Sequence, residues 1–286
     1  MTLPAIQTTS GVFTICEFDR GPKIADLLGL DLTTQNAVII VRQILNQLIL
    51  NLSPQSSGVL VDPIYGFDFL ESKASKVGTI LRLEQVSSET DPLNIPTLIP
   101  NWSIDDIKNN YALAKMELYY HPREEHALHK KQLLAELYDF CQYEKVPLLL
   151  KLMIYTPADE EFNELNFQEA QLEAVQELRG FCDLMALQFP HDPLSVATLT
   201  AELDIPWILT TEGTDYSNAK EILRTVLENG AKGFLAGDIF YQDINKLRKK
   251  DQSPDFEQIE RFIQTTARDR IIELVRIAEE IAGKKI

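Results

Sequence analysis

The sequence predicts an α/β fold, a closed (β/α)8 TIM barrel, on two observations. Short apolar runs occur eight times, and helical or polar stretches separate them. All eight units fit in 286 residues with no linker, repeat or low-complexity segment between them. Strand and helix in alternation imply a parallel sheet, and eight units in so short a chain imply a closed barrel and a single domain, 1–286.

The first strand is expected over Val12–Phe18. A helix over Thr34–Asn51 follows, with Val38, Val41, Ile44, Leu45 and Leu48 on one stripe. Gly58–Asp62 and Thr79–Glu84 read as the second and third strands, and Ser87–Asn101 as a long loop. The fourth strand, Ala112–Tyr119, and the fifth, Leu148–Tyr155, flank a charged helix over Glu124–Tyr143. A helix over Phe167–Phe181 precedes the sixth strand, Asp183–Phe189, and Trp207–Thr211 is the seventh. The helix Ser217–Asn229 stops at Gly230, as helices stop at glycine, and leads to the eighth strand, Gly233–Gly237. A long helix over Phe256–Ala282 ends the chain.

Composition narrows the function. A net charge of −16 disfavours nucleic acid and anionic membrane surfaces as partners. Three distant cysteines (Cys16, Cys141, Cys182) and four histidines show no metal-ligand spacing, which suits a reducing cytoplasm and no metal or other cofactor. No apolar run of about 18 residues is seen, and the first residues lack the pattern of a secretion signal.

Side chains alternate faces along a strand. Lys115, Glu117 and Tyr119 therefore share one face of the fourth strand, and Leu149, Lys151, Met153 and Tyr155 one face of the fifth. The opposite faces carry Ala, Leu, Met and Ile. Charges in such runs are buried, and buried charges are paired or have a chemical task. Barrel chemistry sits at the C-terminal ends of strands. The residues to read are thus Asp19, Arg20, Asp62, Glu84, Lys115, Glu117, Lys151, Gln188, Thr210–Thr214, Gly237 and Asp238.

At these positions the chain resembles the class I tagatose-1,6-bisphosphate aldolase family, which includes the sulfofructose-phosphate aldolases. The segments are Phe18-Asp-Arg-Gly21, Gly58-Val-Leu-Val-Asp-Pro-Ile-Tyr-Gly66, Ala114-Lys-Met-Glu-Leu-Tyr-Tyr-His-Pro122, Pro147–Tyr155, Asp183–Pro190 and Gly230-Ala-Lys-Gly-Phe-Leu-Ala-Gly237. The resemblance implies a barrel of the class I aldolase type and cleavage of a ketose or related carbonyl compound, phosphorylated or not, through a lysine Schiff base.

The site departs from the family's. Its sixth strand reads Asp-Val-Leu-Lys-Val-Glu-Val-Pro, whereas this chain has Asp183-Leu-Met-Ala186-Leu-Gln188-Phe-Pro190, with alanine where the lysine belongs. Lys151 stands where the family has its fifth-strand glutamate, and Asp238 where it has an arginine for phosphate. The first-strand aspartate falls on Phe18, or on Asp19 if one residue is lost. Lys115 is kept, and Arg82 replaces a small residue.

Two readings follow. In the first, a relocated Schiff base forms on Lys115 or Lys151, one amine held neutral by repulsion from the other. Glu117, Glu84 and Asp19 then move protons, and Asp62, Arg20, Arg82, Gln188, Thr211, Gly213 and Gly237 bind substrate. In the second, Arg82, Glu84, Lys115, Glu117 and Lys151, joined by Asp62 or Glu17, form a buried ion network in a degenerate barrel with a ligand-binding, regulatory or protein-interaction role. The partner is a small-molecule carbonyl or sugar compound, and a homo-oligomer is left open. Lys130-Lys131 is expected to be exposed, and His121, His126 and His129 to lie at the surface.

Overall fold

The computed structural model describes residues 2–74, 76–86, 91–158 and 160–284. Positions 87–90 of the long loop expected after the third strand lie outside the described residues. Eight parallel strands close in chain order into a barrel. They are β1 (Phe13–Phe18), β2 (Gly58–Val61), β3 (Gly78–Arg82), β4 (Ala112–Tyr119), β5 (Leu148–Met153), β6 (Leu184–Leu187), β7 (Trp207–Thr210) and β8 (Gly233–Ala236). Most end a residue or two before the expected limits, because the last residues of each apolar run already belong to the loops at the barrel mouth.

Helices ring the barrel: α1 (Gly21–Leu28), α2 (Gln35–Leu52), α3 (Ile104–Asn109), α4 (Ala127–Glu144), α5 (Glu164–Leu178), α6 (Pro193–Glu202), α7 (Tyr216–Glu228), α8 (Asp238–Tyr241), α9 (Phe256–Phe262) and α10 (Arg268–Gly283). Short polar side chains begin several of them. Thr34, Asn163, Asp192 and Asp215 each accept backbone N–H groups of the first turn, which would otherwise lack partners. The helix α2 is long and apolar enough to cross a membrane by composition alone, at a mean hydropathy of 1.2. Here Val41, Ile44, Leu45, Leu48 and Ile49 pack its stripe onto the barrel.

The expected single last helix is interrupted. Ile263–Ala267 forms a π-helical turn between α9 and α10, and the Thr265 hydroxyl donates to the Arg261 carbonyl inside it. Ile263 and Ala267 are both buried, and the rest of the turn, Gln264–Thr266, is exposed. Lys130 also departs from expectation. It is fully buried and its ammonium donates to Glu124 at 2.8 Å, the Tyr119 carbonyl at 2.9 Å and the Pro92 carbonyl at 2.6 Å. Three oxygens compensate the loss of water.

Alternation sorts every strand. Ala112, Ala114, Met116 and Leu118 of β4 face the helices, as do Leu148, Leu150 and Leu152 of β5. Facing the axis, Phe13, Ile15, Leu60, Ile80, Leu113, Leu149, Leu184, Ala186, Ile208 and Leu235 form one apolar cluster with Ile6. Residues Leu3–Ile6 thus plug the N-terminal end of the barrel. A Cβ on Gly78 would lie 2.4 Å from the Ala5 carbonyl oxygen, so only glycine lets the plug come so close.

Candidate active site

The register that stacks the apolar cluster brings charges to the axis just above it. Lys115 pairs with Arg82 in the β3–β4 ladder, Glu117 with Lys151 in β4–β5, and Lys151 with Ala186 in β5–β6. The Lys115 ammonium lies 2.5 Å from Glu84 Oε1, 3.0 Å from Asp19 Oδ2 and 3.1 Å from Glu117 Oε2. The Lys151 ammonium lies 2.6 Å from Glu17 Oε1, 2.7 Å from Glu212 Oε2 and 3.6 Å from Glu117 Oε2. Glu117 therefore stands between the two amines.

Arginines complete the layer. Arg20 forks onto Glu212 at 2.6 and 2.8 Å and also donates to Glu117. Arg82, with no exposed surface, donates to Asp62 and to the Asp19 carbonyl, each at 3.1 Å, and to the Glu84 carbonyl. Asp62 also accepts the backbone N–H groups of Gly21, Ile64 and Tyr65, which fixes the start of α1 and the turn after β2. Asp19, one residue beyond β1, is the aspartate at the mouth, while Phe18 packs outward among the helices.

Burial and pairing set the ionisation. Burial works against charge on Lys115 and Lys151, yet the carboxylates around them, led by Asp19 for the first and Glu117 for the second, carry both pKa values above that of an ordinary lysine. The repulsion expected to hold one amine neutral is thus outweighed, because Glu117 stands between the two ammonium groups and the surrounding carboxylates favour the charged form of both. Burial likewise opposes charge on Glu117 and Asp19. Arg20 and Lys151 nonetheless hold Glu117 well below the usual carboxylate range, and Lys115 and Arg82 lower Asp19. Burial prevails at Glu84 and Asp62, which are raised. It prevails most plainly at Glu17, pushed up to about 7 against the pull of Lys151.

The other residues expected to bind substrate make these contacts within the chain. Gln188 accepts the Ile154 N–H on its side chain at 2.7 Å and the Gln171 amide on its carbonyl at 2.9 Å, and so braces two strand ends. The Thr211 backbone spans between Leu235 and Thr214. A Cβ on Gly237 would lie 2.5 Å from the Glu17 carbonyl oxygen, so glycine lets β8 close on β1 there. Gly213, at φ +78°, turns the chain between β7 and α7 and lines a cavity of about 650 Å³ over β5–β7, whose wall also includes Gln188, Thr210 and Glu212. A smaller cavity of about 220 Å³ lies over β3 and β4, against Glu84, Glu117 and Tyr119. Among the described residues, no group of His, Cys, Asp and Glu has the arrangement of a metal site.

Sequence reasoning underweighted Glu17 and Glu212, which hold Lys151 from β1 and from the loop after β7. The alternation on β1 that places Ile15 inward also places Glu17 there, so that signal was available. Glu212 has no such periodic signal, since it lies beyond its strand.

No protein-family model matches the chain. It is 27% identical over 266 residues, 81% of its length and 80% of the relative's, to tagatose 1,6-diphosphate aldolase 2 of Enterococcus faecalis. It is 21% identical over 267 residues, 82% of this chain and 81% of the relative, to the corresponding enzyme of Streptococcus mutans. Among solved structures, an archaeal fructose 1,6-bisphosphate aldolase aligns with a TM-score of 0.67 at 15% identity, covering 97% of this chain and 96% of that one. A Schiff-base-forming fructose-1,6-bisphosphate aldolase aligns at 0.63 and 14% identity, covering 96% of each chain. At those identities the structural likeness speaks for the fold alone. In sequence the chain is similar to the tagatose 1,6-diphosphate aldolases, and in fold it is similar to the barrel of the fructose-bisphosphate aldolases.

Proposed function

We propose that the chain is an aldolase-like lyase that cleaves a carbonyl compound through a Schiff base on Lys151. One observation carries the reading. The Lys151 amine, opposite Ala186 in the ladder, lies 2.6 Å from Glu17, the neighbouring carboxyl raised to about 7. An ammonium must lose its proton before it attacks a carbonyl carbon, and Glu17 is the readiest acceptor in contact. Glu212, with 14% of its side chain exposed, separates this amine from the larger cavity. A substrate that draws Glu212 away removes one of the anions that keep Lys151 protonated. The amine then adds to the carbonyl carbon, and water leaves to give an iminium. The iminium accepts the electron pair of the breaking carbon–carbon bond and becomes an enamine while a carboxylate takes the hydroxyl proton of the departing aldehyde. The carboxylic acid so formed gives its proton to the enamine carbon, and water adds to the restored iminium to free the ketone and the lysine. Lys115, enclosed by Asp19, Glu84 and Glu117, keeps the layer's charge in balance. Arg20, Arg82 and Asp62 hold its frame.

A second reading, a barrel that binds a ligand without cleaving it, is favoured by the complete pairing of Arg20, Arg82, Lys115 and Lys151 with carboxylates. Borohydride reduction in the presence of ketones and ketose phosphates, followed by peptide mass mapping, separates the two. The lyase reading expects a stable adduct on Lys151 that Lys151→Met abolishes while circular dichroism stays native. Adduct formation rises with pH up to about 7, where Glu17 becomes a base, and then levels. No adduct with any carbonyl compound on the folded protein selects the second reading.

A further inference from the structure

The larger cavity points to the class of compound the site takes, an inference that rests on the proposed site but concerns its binding selectivity alone. One wall is aromatic. Phe162, Phe167 and Phe189 stand 5.4–5.9 Å from the His191 ring, centroid to centroid. The facing wall carries Glu212, Asp215 and Glu221 and no lysine or arginine among the lining residues. Arg20 and Lys151 hold Glu212 and Arg224 holds Glu221 from behind, so among the described residues Asp215 is the carboxylate of this wall without a cation on it. On the inner side Thr210 is only 2% exposed, and its hydroxyl has no hydrogen-bond partner. A buried hydroxyl without a partner is costly unless something else meets it.

The same loops reject phosphate. Barrels commonly hold phosphate in the loops after the seventh and eighth strands, on free helix N–H groups. After β7, Asp215 has already taken the first turn of α7, accepting Ser217 N–H at 2.9 Å and Asn218 N–H at 3.0 Å. After β8, Asp238 accepts from Lys23 and from the Tyr241 hydroxyl. After β7 the chain's own carboxylate thus takes the N–H groups a substrate anion would use, and after β8 the nearby cation, Lys23, is engaged by Asp238.

We propose that this cavity selects an unphosphorylated compound with an apolar, preferably aromatic, body and a neutral or cationic polar head, the head meeting Thr210 and the acidic wall and the body meeting the Phe162–His191 wall. A cation there gains from both the carboxylates and the ring faces.

The test is a charge series on one body: 2-phenylethylamine, 2-phenylethanol and 2-phenylethyl phosphate, titrated into the full chain by calorimetry. The amine is expected to bind about tenfold more tightly than the alcohol, and the phosphate not to saturate. Asp215→Asn with Glu221→Gln should narrow the amine-to-alcohol ratio by at least roughly threefold. Thr210→Val should weaken amine and alcohol alike by about fivefold. Phosphate binding as tight as the amine's, an amine that fails to bind, or affinities that ignore all three substitutions would overturn the proposal. None of the probes carries a carbonyl, so these results stand apart from imine formation. Amine selectivity without any borohydride adduct keeps this inference and removes the lyase reading. A Lys151 adduct with ketose phosphates alone does the reverse.

Discussion

The lower and upper halves of the barrel interior are built by the same strands in the same register, yet they are different materials. Below, one or two apolar side chains from each strand meet at the axis around Ile6. Two residues further along the same strands stand Glu17, Asp62, Arg82, Lys115 and Lys151, all buried. The lower half is held by removal from water and by close packing. The upper half has given up the same water contact for ions, and it holds only while each charge keeps its counter-charge. The lower layer therefore tolerates a smaller side chain better than the upper layer tolerates a missing one.

The largest effect should come from Lys115→Met, which leaves Asp19, Glu84 and Glu117 without their shared cation. A loss of about 3–5 kcal/mol at neutral pH is expected in urea unfolding. In the wild type, Asp19 and Glu117 have lowered folded pKa values, so their stabilisation is present above the unfolded carboxylate range and fades as pH falls through it. In the variant these groups protonate more readily, so its deficit should shrink as pH drops from 7 towards about 4. A deficit that is constant with pH would mean that packing, not charge, governs the upper layer.

Next, Leu113→Ala, one inward step below Lys115, should cost about 2–5 kcal/mol through its cavity, and by the same amount at every pH. If this deficit changes with pH, the two halves are not separable.

Glu17 gives a smaller signal with the opposite sign. Its folded pKa is raised, so the folded state holds a proton that the unfolded state has lost between about 4.5 and about 7. That contribution to stability is full at low pH and disappears as pH rises through about 7. Carbon-13 spectra of the carboxyl groups should contain a signal with its midpoint near 7, missing in Glu17→Gln. A Glu17 midpoint in the ordinary carboxylate range would remove both this slope and the proton acceptor assigned to Lys151. Smallest is Ile208→Val in the lower layer, at about 1 kcal/mol and independent of pH. A larger effect would mean that strain from the ions above reaches the apolar floor.

Much of this was legible in the chain. Eight apolar runs announced eight strands, and β4 was anticipated to the residue at both ends. Period-two alternation alone puts Lys115, Glu117 and Lys151 on the axis, because that period is local and cannot slip without exposing Ala114, Met116 and Leu150. Other elements carried weaker signals. The helix α6 was not anticipated between β6 and β7, although Asp192-Pro193 is a cap followed by a proline at the first helical position. Lys130 looked like a solvated charge because the oxygens that bury it come from other parts of the chain.

Which side chains face the axis follows from the order of residues along each strand, since strand geometry fixes that residue by residue. The same order leaves no amine on β6, where Ala186 stands beside Lys151 in the β5–β6 ladder. Only the closed barrel decided which charge meets which. Glu17 reaches Lys151 across 134 positions and Arg20 reaches Glu212 across 192, so these distances exist only after β8 has joined β1. The ionisation followed from the same closure. Whether a buried carboxyl sits near 7 or well below its ordinary range depends on how many cations lie within a few ångströms and how little water remains, and neither is a property of the chain before it folds.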